Sequence, residues 1–409
     1  MRNKYSLLKK TLVFGIIVLF AGLIIVPSIS SINNQVKLKN MYTQVTPFNP
    51  FLRGWLGRKK ITINHNQVAG DLNDFPVLIS IVDSDLATKA QDDGDDILFM
   101  DNKGRANQMC HEIEFFDGST GELIAWVKLP SVSSSSDTIF YMYYRNPECG
   151  SQQDVEGTWN NNYQAVYHMN DESNGILDST AYNRDSTSYT GNPTYHQSGI
   201  SGYAIDFDGG DDEFQLPHNF NLGSSDITLE IWINAASWPG YGAVCAALSF
   251  VGEHYLRCAN YRNKYGEDVL RGFGYCTVSD PTWNNLVVTY NPPINTWIYI
   301  AGTYDNDVGA KAFYNAVLKA TGNTNGDLLP RSSTNRIGYY FNGLIDEVRV
   351  SNIERSDAWI ETTYNSIKNS SGFIISRSKE IEYNTYDNIW LLWFLERFPL
   401  LERLLTFLL

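Results

Sequence analysis

Two short stretches combine aromatic rings with amides and charges: Trp-Pro-Gly-Tyr-Gly at 238–242 and Tyr-Arg-Asn-Lys-Tyr at 261–265. A sugar site needs a flat ring against the apolar face of the sugar and polar groups for its hydroxyls. Trp238, Tyr241, Tyr261 and Tyr265 are therefore the candidate ligand-binding residues. Paired acids are the second pattern. A retaining glycosidase needs two carboxylates about 5 Å apart, and Glu112 and Glu114 alternate along one run, in the manner of a solvent-facing strand edge. No run reads Glu-x-Asp-x-x-Glu. His65, His111, His168, His196, His218 and His254 are scattered, with no HExxH, GxSxG or Cys-His signature. No catalytic residue is assigned, and the chain is read as non-enzymatic.

Metal-binding patterns are equally sparse. Asp92, Asp93, Asp95 and Asp96 lack the glycine and distant glutamate of an EF-hand, and read as a solvated turn. Asp208 and Asp212 bracket glycines after an alternating run, which offers oxygen ligands or simply a Gly-Asp turn. The five cysteines have no CxxC spacing, which argues against a zinc-thiolate site. In an exported chain Cys110 and Cys149 are a pair available to the first domain and two of Cys245, Cys258 and Cys276 to the second, with buried free thiols as the alternative.

These residues must be carried by strands. Runs such as 58–63, 75–81, 97–99, 113–116, 124–130 and 138–144 are short, rich in β-branched and aromatic residues, and separated by Gly, Asp, Asn or Ser turns. The spacing predicts a small all-β sandwich. Later runs at 202–209, 227–233, 286–290, 297–303, 311–314 and 344–350 alternate at a two-residue period, with Asn342-Gly343 read as a turn. Within the last run Glu347, Arg349 and Ser351 alternate with Val348 and Val350, as in a half-buried strand. One short helix is predicted near 355–365, capped by Ser356.

The ends differ from this pattern. Arg2, Lys4, Lys9 and Lys10 precede an apolar run from Leu12 to Val26 and a small-residue exit, which reads as a signal peptide or membrane anchor over 1–31. Residues 32–50 and 370–388 read as linkers. Residues 389–409 are rich in Leu, Trp and Phe but interrupted by Pro399 and two Glu-Arg pairs, which predicts a hydrophobic amphipathic helical tail. The net charge of -14 disfavours nucleic acid as a partner.

Two resemblances follow from the motifs in order. Trp55, Ile61-Thr62-Ile63, Asp74-Phe75-Pro76-Val77-Leu78-Ile79, Asp95-Asp96-Ile97-Leu98-Phe99, His111-Glu112-Ile113-Glu114, Trp126-Val127-Lys128 and Tyr143-Tyr144-Arg145-Asn146-Pro147 resemble the domain of unknown function numbered 2341, over 51–151. Arg145 stands where that family usually has Gly. Ile176-Leu177-Asp178-Ser179, Gly202 to Gly209, Gly338 to Val350 and Arg355 to Asn365 resemble a laminin-G-like, concanavalin A-like jelly roll over 155–369. The combination is that of prokaryotic, especially archaeal, surface proteins. It implies an all-β chain of two β-sandwiches in tandem, the second a jelly roll. It further implies a non-catalytic binding or adhesion module on the extracellular side of the membrane, taking a glycan or surface-protein ligand. A structural cell-envelope role and a polysaccharide hydrolase are the alternatives. The resemblance also implies a calcium ion held by Asp178 and Asp346, with carbonyls around Asn183.

Overall fold

The computed structural model describes residues 48–382, apart from 104–105, 218–219, 221–225, 239–243, 251–255, 283 and 330–333. The expected N-terminal hydrophobic helix, most of the 32–50 linker and the 389–409 tail lie outside the described residues. Among the described residues no helix is long and apolar enough to cross a membrane.

The first sandwich starts with β1 (Gly57–Ile63), β2 (Leu72–Val82), β3 (Leu98–Met100), β4 (His111–Asp117), β5 (Glu122–Val132) and β6 (Thr138–Tyr144). Next come β7 (Tyr163–Tyr167), β8 (Ser188–Thr190), β9 (Thr194–Ser198), β10 (Tyr203–Asp208), β11 (Glu213–Leu216) and β12 (Ile227–Ser237). The chain continues through β13 (Val244–Phe250), β14 (Leu256–Arg262), β15 (Asp268–Tyr275), β16 (Asn284–Tyr290) and β17 (Ile298–Asp305). The last strands are β18 (Gly309–Tyr314), β19 (Val317–Gly322), β20 (Asn335–Tyr339), β21 (Asn342–Ser351) and β22 (Ile374–Glu382). A helix, Asp357–Lys368, precedes β22, and the Ser356 hydroxyl caps it by accepting from the Trp359 amide at 3.2 Å.

β7 to β21 make a jelly roll. One sheet runs β19-β18-β17-β12-β21-β10-β9 with β7 beside β21, and the other runs β16-β15-β14-β13-β20-β11-β8. Ile231, Ile233, Ile300, Ile345, Val348 and Val350 fill the space between them together with Phe207, Phe214 and Phe273. All pairing in these sheets is antiparallel, so each strand sends alternate residues inward.

Two expectations are corrected. The first sandwich is not closed before the second begins: its four-stranded sheet runs β22-β1-β6-β3, opposite the three-stranded sheet β2-β5-β4. β22 follows the jelly roll and pairs with the whole of β1, from Gly57 opposite Glu382 to Ile63 opposite Ile374. Much of the expected 370–388 linker is thus a strand, and the jelly roll is inserted between β6 and β22. The order of the two domains stands, but the first is completed only by a strand that follows the second. A polar strand paired at a sheet edge needs no apolar run, which is why its sequence reads as linker. The Asn342-Gly343 pair opens β21, and the reversal before it falls at Tyr340, whose φ is 51°. Arg145, in the place of the family's glycine, adopts a φ of 69°, the left-handed turn that glycine takes freely.

The two sandwiches share packing. The core between the sheets of the first continues, without a break, onto the outer face of the jelly roll's β17-β12-β21 sheet. It takes in Trp159, Tyr163, Trp232, Tyr299 and Phe313, and Trp359 and Ile360 from the helix. Trp232 stacks on Tyr364 with ring centroids 5.5 Å apart, and Phe75 meets Trp359 edge-on at 4.8 Å. One sheet of the jelly roll is therefore covered on both faces.

Candidate functional site

The covered face holds a group of ionisable side chains. β4 of the first sandwich brings Glu112 and Glu114 against β21 of the jelly roll, which brings Asp346, Glu347 and Arg349, and His168 lies between them just after β7. Two β-bulges aim these residues. Ile113 pairs with Ala125 and Phe115 with Ile124, so Glu114 is the extra residue of β4. On β21, Arg349 pairs with Glu230 and Asp346 with Trp232, so Glu347 and Val348 together face Ile231. Glu347 has a φ of 48°, a costly conformation for a side chain of its size. The bulge lets two consecutive acids, Asp346 and Glu347, leave the jelly-roll core on the same side, while Ile345 and Val348 stay inside.

Each charge is held. His168 Nδ1 lies 2.7 Å from Glu347 Oε1 and its Nε2 3.2 Å from Glu112 Oε2. Glu112 also accepts from the Trp159 indole N–H and, at 2.8 Å, from the Ser179 hydroxyl. Arg349 donates to Glu347 Oε2 at 2.7 Å, with its guanidinium 4.3 Å above the Trp126 ring. Trp126 donates its indole N–H to Glu114 Oε2 at 2.9 Å and stacks on the imidazole of His168. A loop at 199–202 lies across the acids. A Cβ on Gly199 would come within 2.5 Å of Asp346 Oδ2, and one on Gly202 within 2.8 Å of Glu114 Oε1.

Burial and mutual repulsion set the charge states. Burial opposes the imidazolium, yet Glu347 and Glu112 hold His168 well above the usual histidine range. Glu112 and Glu347 sit below the usual carboxylate range despite burial, chiefly because His168 faces both. Glu114 is pushed up to about 8 by burial, against the pull of His168 and with the repulsion of Glu347. Asp346 is raised well above its ordinary value by burial and by Glu347 and Glu114. Asp346 Oδ2 accepts from the Ile200 and Ser201 amides, whereas Asp346 Oδ1 and Glu114 Oε1 are buried with no hydrogen-bond partner.

The sequence reading placed Glu112 and Glu114 on a solvent-facing strand edge. The structure corrects this: the Glu114 side chain is wholly buried and that of Glu112 is 12% exposed. His168, Glu347 and Arg349 were not singled out for chemistry. The signal available was the Glu-x-Glu alternation together with an Asp-Glu pair on a strand otherwise apolar at alternate positions.

The residues proposed for calcium fall elsewhere or apart. Asp178 Oδ1 accepts from the Val166 and Thr180 amides, and Oδ2 from the Arg184 amide and the Thr180 hydroxyl. That carboxylate staples a loop to β7. A cation there would compete with four protein donors. Asn183 is exposed at a φ of 50° and donates to the Ala181 carbonyl. Asp178 and Asp346 share no hydrogen-bond partner, and Asp346 belongs instead beside Glu114 and Glu347. Among the described residues two groups do converge, each with donor atoms within 4.8 Å of one another: Glu114, His168 and Glu347 in the seam, and the exposed Asp208 and Asp211 with the buried Asp212 after β10.

The aromatic candidates also separate. Trp238 is half-buried against the jelly-roll core, its indole N–H given to the Pro292 carbonyl at 2.9 Å. Tyr265 is 76% exposed on the β14-β15 turn, with the Lys264 ammonium 5.1 Å from its ring. Tyr241 and the side chain of Tyr261 lie outside the described residues. Cys110 and Cys149 are free thiols: Cys110 donates to Asp154 and Cys149 to the Asn146 carbonyl.

On the jelly roll's other sheet, a group not anticipated from sequence reaches the surface. Tyr339 and Tyr340 lie with ring centroids 4.4 Å apart, and the Arg336 guanidinium sits 5.1 Å from the Tyr339 ring. Arg336 pairs with Glu213 at 3.0 Å, and Gln215 donates to the same acid.

Two antiparallel sheets packed face to face, with one of them sealed by a smaller sandwich, define a jelly-roll module joined to an accessory domain. Comparison with known families gives the same order. Residues 93–185 match the model of a domain of unknown function, DUF2341, and residues 208–361 match that of the concanavalin A-like lectin/glucanases superfamily. The first match contains Glu112, Glu114 and His168 and the second Asp346, Glu347 and Arg349, so the seam is built from both. No curated protein matches the chain.

Among solved structures, the receptor-binding domain of a botulinum neurotoxin C/D mosaic serotype is 14% identical, with a TM-score of 0.40, over 50% of this chain and 51% of that one. The binding domain of Paraclostridial Mosquitocidal Protein 1 is 14% identical, with a TM-score of 0.41, over 51% and 53%. Domain 4 of AbnA, an extracellular arabinanase of Geobacillus stearothermophilus, solved with arabinotriose, is 17% identical, with a TM-score of 0.38, over 50% and 98%. The chain thus spans about half the length of the two toxin domains.

Proposed function

We propose that this chain is a non-catalytic binding module whose jelly roll recognises a glycan through the surface around Arg336, Tyr339 and Tyr340. The observation that carries the reading is the asymmetry of the jelly roll. One sheet is clamped under the first sandwich, while the other presents a tyrosine pair beside a guanidinium, a carboxylate and an amide. Tyr340 is 52% exposed. Rings of this kind meet the apolar face of a sugar, and Glu213, Gln215 and Arg336 suit its hydroxyls. The paired acids a hydrolase would use, Glu112 and Glu114, lie beneath Trp126 and Trp159, where no polysaccharide reaches.

Calcium enters the proposal at the turn of Asp208, Asp211 and Asp212, where Asp208 and Asp211 are exposed and Asp212, buried, is already held by the Asn192 and Asp208 amides. Export to the cell surface and attachment to the membrane rest on the charged-then-apolar stretch at 1–31.

The test is a glycan-array screen of the full chain in detergent, with calcium and again with chelator. Binding to one glycan class, lost at least tenfold in Tyr339→Ala/Tyr340→Ala with an unchanged melting temperature, is the expected result. A folded chain that binds no glycan in either condition, or a double variant that binds as well as wild type, overturns the reading.

A further inference from the structure

Glu114, His168 and Glu347 each offer one donor atom to a common point in the seam between the sandwiches. We propose that this set binds one divalent transition-metal ion of the zinc or manganese type, which ties β4 of the first sandwich to β21 of the jelly roll.

The arrangement around the three residues is that of a prepared site. Glu112 holds His168 Nε2, which leaves Nδ1 facing Glu347 Oε1 at 2.7 Å and Glu114 Oε2 at 3.7 Å. A carboxylate behind the far nitrogen of a ligand histidine is how metal sites fix the tautomer and orientation of the ring. Arg349 holds Glu347 through Oε2 and leaves Oε1 to the site. Trp126 anchors Glu114 through Oε2, and Oε1 of that buried side chain has no partner. Asp346 Oδ1, also buried and unpartnered, lies on the same side, close enough for Glu114 and Glu347 to repel it.

Donor chemistry selects the ion. Imidazole with carboxylates suits zinc or manganese, whereas calcium takes oxygen alone. Ligand atoms around zinc at ~2.0–2.1 Å sit ~3.3 Å apart, so the 2.7 Å Nδ1–Oε1 separation has to open by ~0.6 Å. Because the Glu114 and Glu347 side chains are 0% exposed and that of His168 is 2% exposed, the ion is taken up as the sandwiches close and exchanges slowly afterwards.

The experiment uses the full chain, produced with added zinc or manganese, washed with chelator, and analysed for metal by mass spectrometry. About one ion per chain is expected, retained through hours in chelator. Glu114→Gln, which keeps the shape of the side chain, and His168→Gln should each lower the content at least fivefold, whereas Glu230→Gln should retain it. X-ray absorption of the loaded wild-type chain should show scattering from one imidazole, a readout that does not depend on whether a variant folds. A folded wild-type chain free of metal, an all-oxygen coordination shell, or full metal content in folded Glu114→Gln overturns the proposal. None of these results bears on glycan recognition at the opposite sheet.

Discussion

Arg349→Met tests whether the seam holds the two sandwiches together through paired charge. The guanidinium is buried, 2.7 Å from Glu347 Oε2, and lies 4.3 Å and 5.1 Å from the rings of Trp126 and Trp159. Methionine fills much of the same volume and keeps contact with both rings, so lost packing is a small part of the cost. What remains is a buried glutamate deprived of one of its two cationic partners. Removing one member of a buried pair costs about 3–5 kcal/mol, and because His168 still faces Glu347 the lower figure applies, about 3 kcal/mol. Glu347→Gln alone leaves Arg349 short of its partner and should cost a similar amount. The double variant strands neither charge, so it should cost at least ~2 kcal/mol less than the sum of the singles. Urea unfolding in chelator, followed by tryptophan fluorescence, reads all four states, since Trp126 and Trp159 lie in the seam itself. A single variant within 1 kcal/mol of wild type, or strictly additive singles, would refute the idea that these charges depend on one another.

Three further outcomes follow from the same structure. Asp178→Ala leaves the amides of Val166, Thr180 and Arg184 without their acceptor, and should destabilise the chain by about 2–4 kcal/mol in calcium and in chelator alike; a loss seen only in calcium would show that a cation sits there. Burial pushes His111 down to about 4, so the unfolded chain takes a proton below about 6.5 that the folded chain refuses. Its contribution is complete above pH 6.5 and shrinks as pH falls toward 4, by up to ~3 kcal/mol, and His111→Phe should flatten that slope in denaturation midpoints at pH 7, 6 and 5; an unchanged slope counts against it. Ending the chain after Phe373 removes β22 and opens the whole of β1 as a sheet edge, so size-exclusion chromatography should show self-association and the melting temperature should fall, whereas a monomer of unaltered stability would mean that β22 contributes nothing.

Much of the secondary structure was legible from the chain alone. The run at 138–144 is β6 residue for residue, and Ser356 caps the helix it was expected to cap. A two-residue period is imposed by the pleat and a cap by unpaired helical amides, so both are local and both leave a local trace. The order of a DUF2341-type and a concanavalin A-like domain was legible for the same reason, through motifs short enough to survive as strings.

What covers each strand face was decided only by the tertiary structure. Alternation separated Val348 and Val350 from Glu347, Arg349 and Ser351, but a polar face reads the same whether water or another domain lies on it. Here β4 and two tryptophans lie on it, and Glu347 is paired with His168 and Arg349 rather than solvated. The bulges at Glu114 and Glu347 shift residues by one position, which an alternation pattern cannot register. Trp238 illustrates the reverse case: its loop composition suits a sugar, while its indole is spent on Pro292 and its ring on Phe341. β22 lay hidden because its partner, β1, is more than three hundred residues away in the chain. Periodicity reports which side a residue takes, and only long-range packing supplies the neighbour on that side.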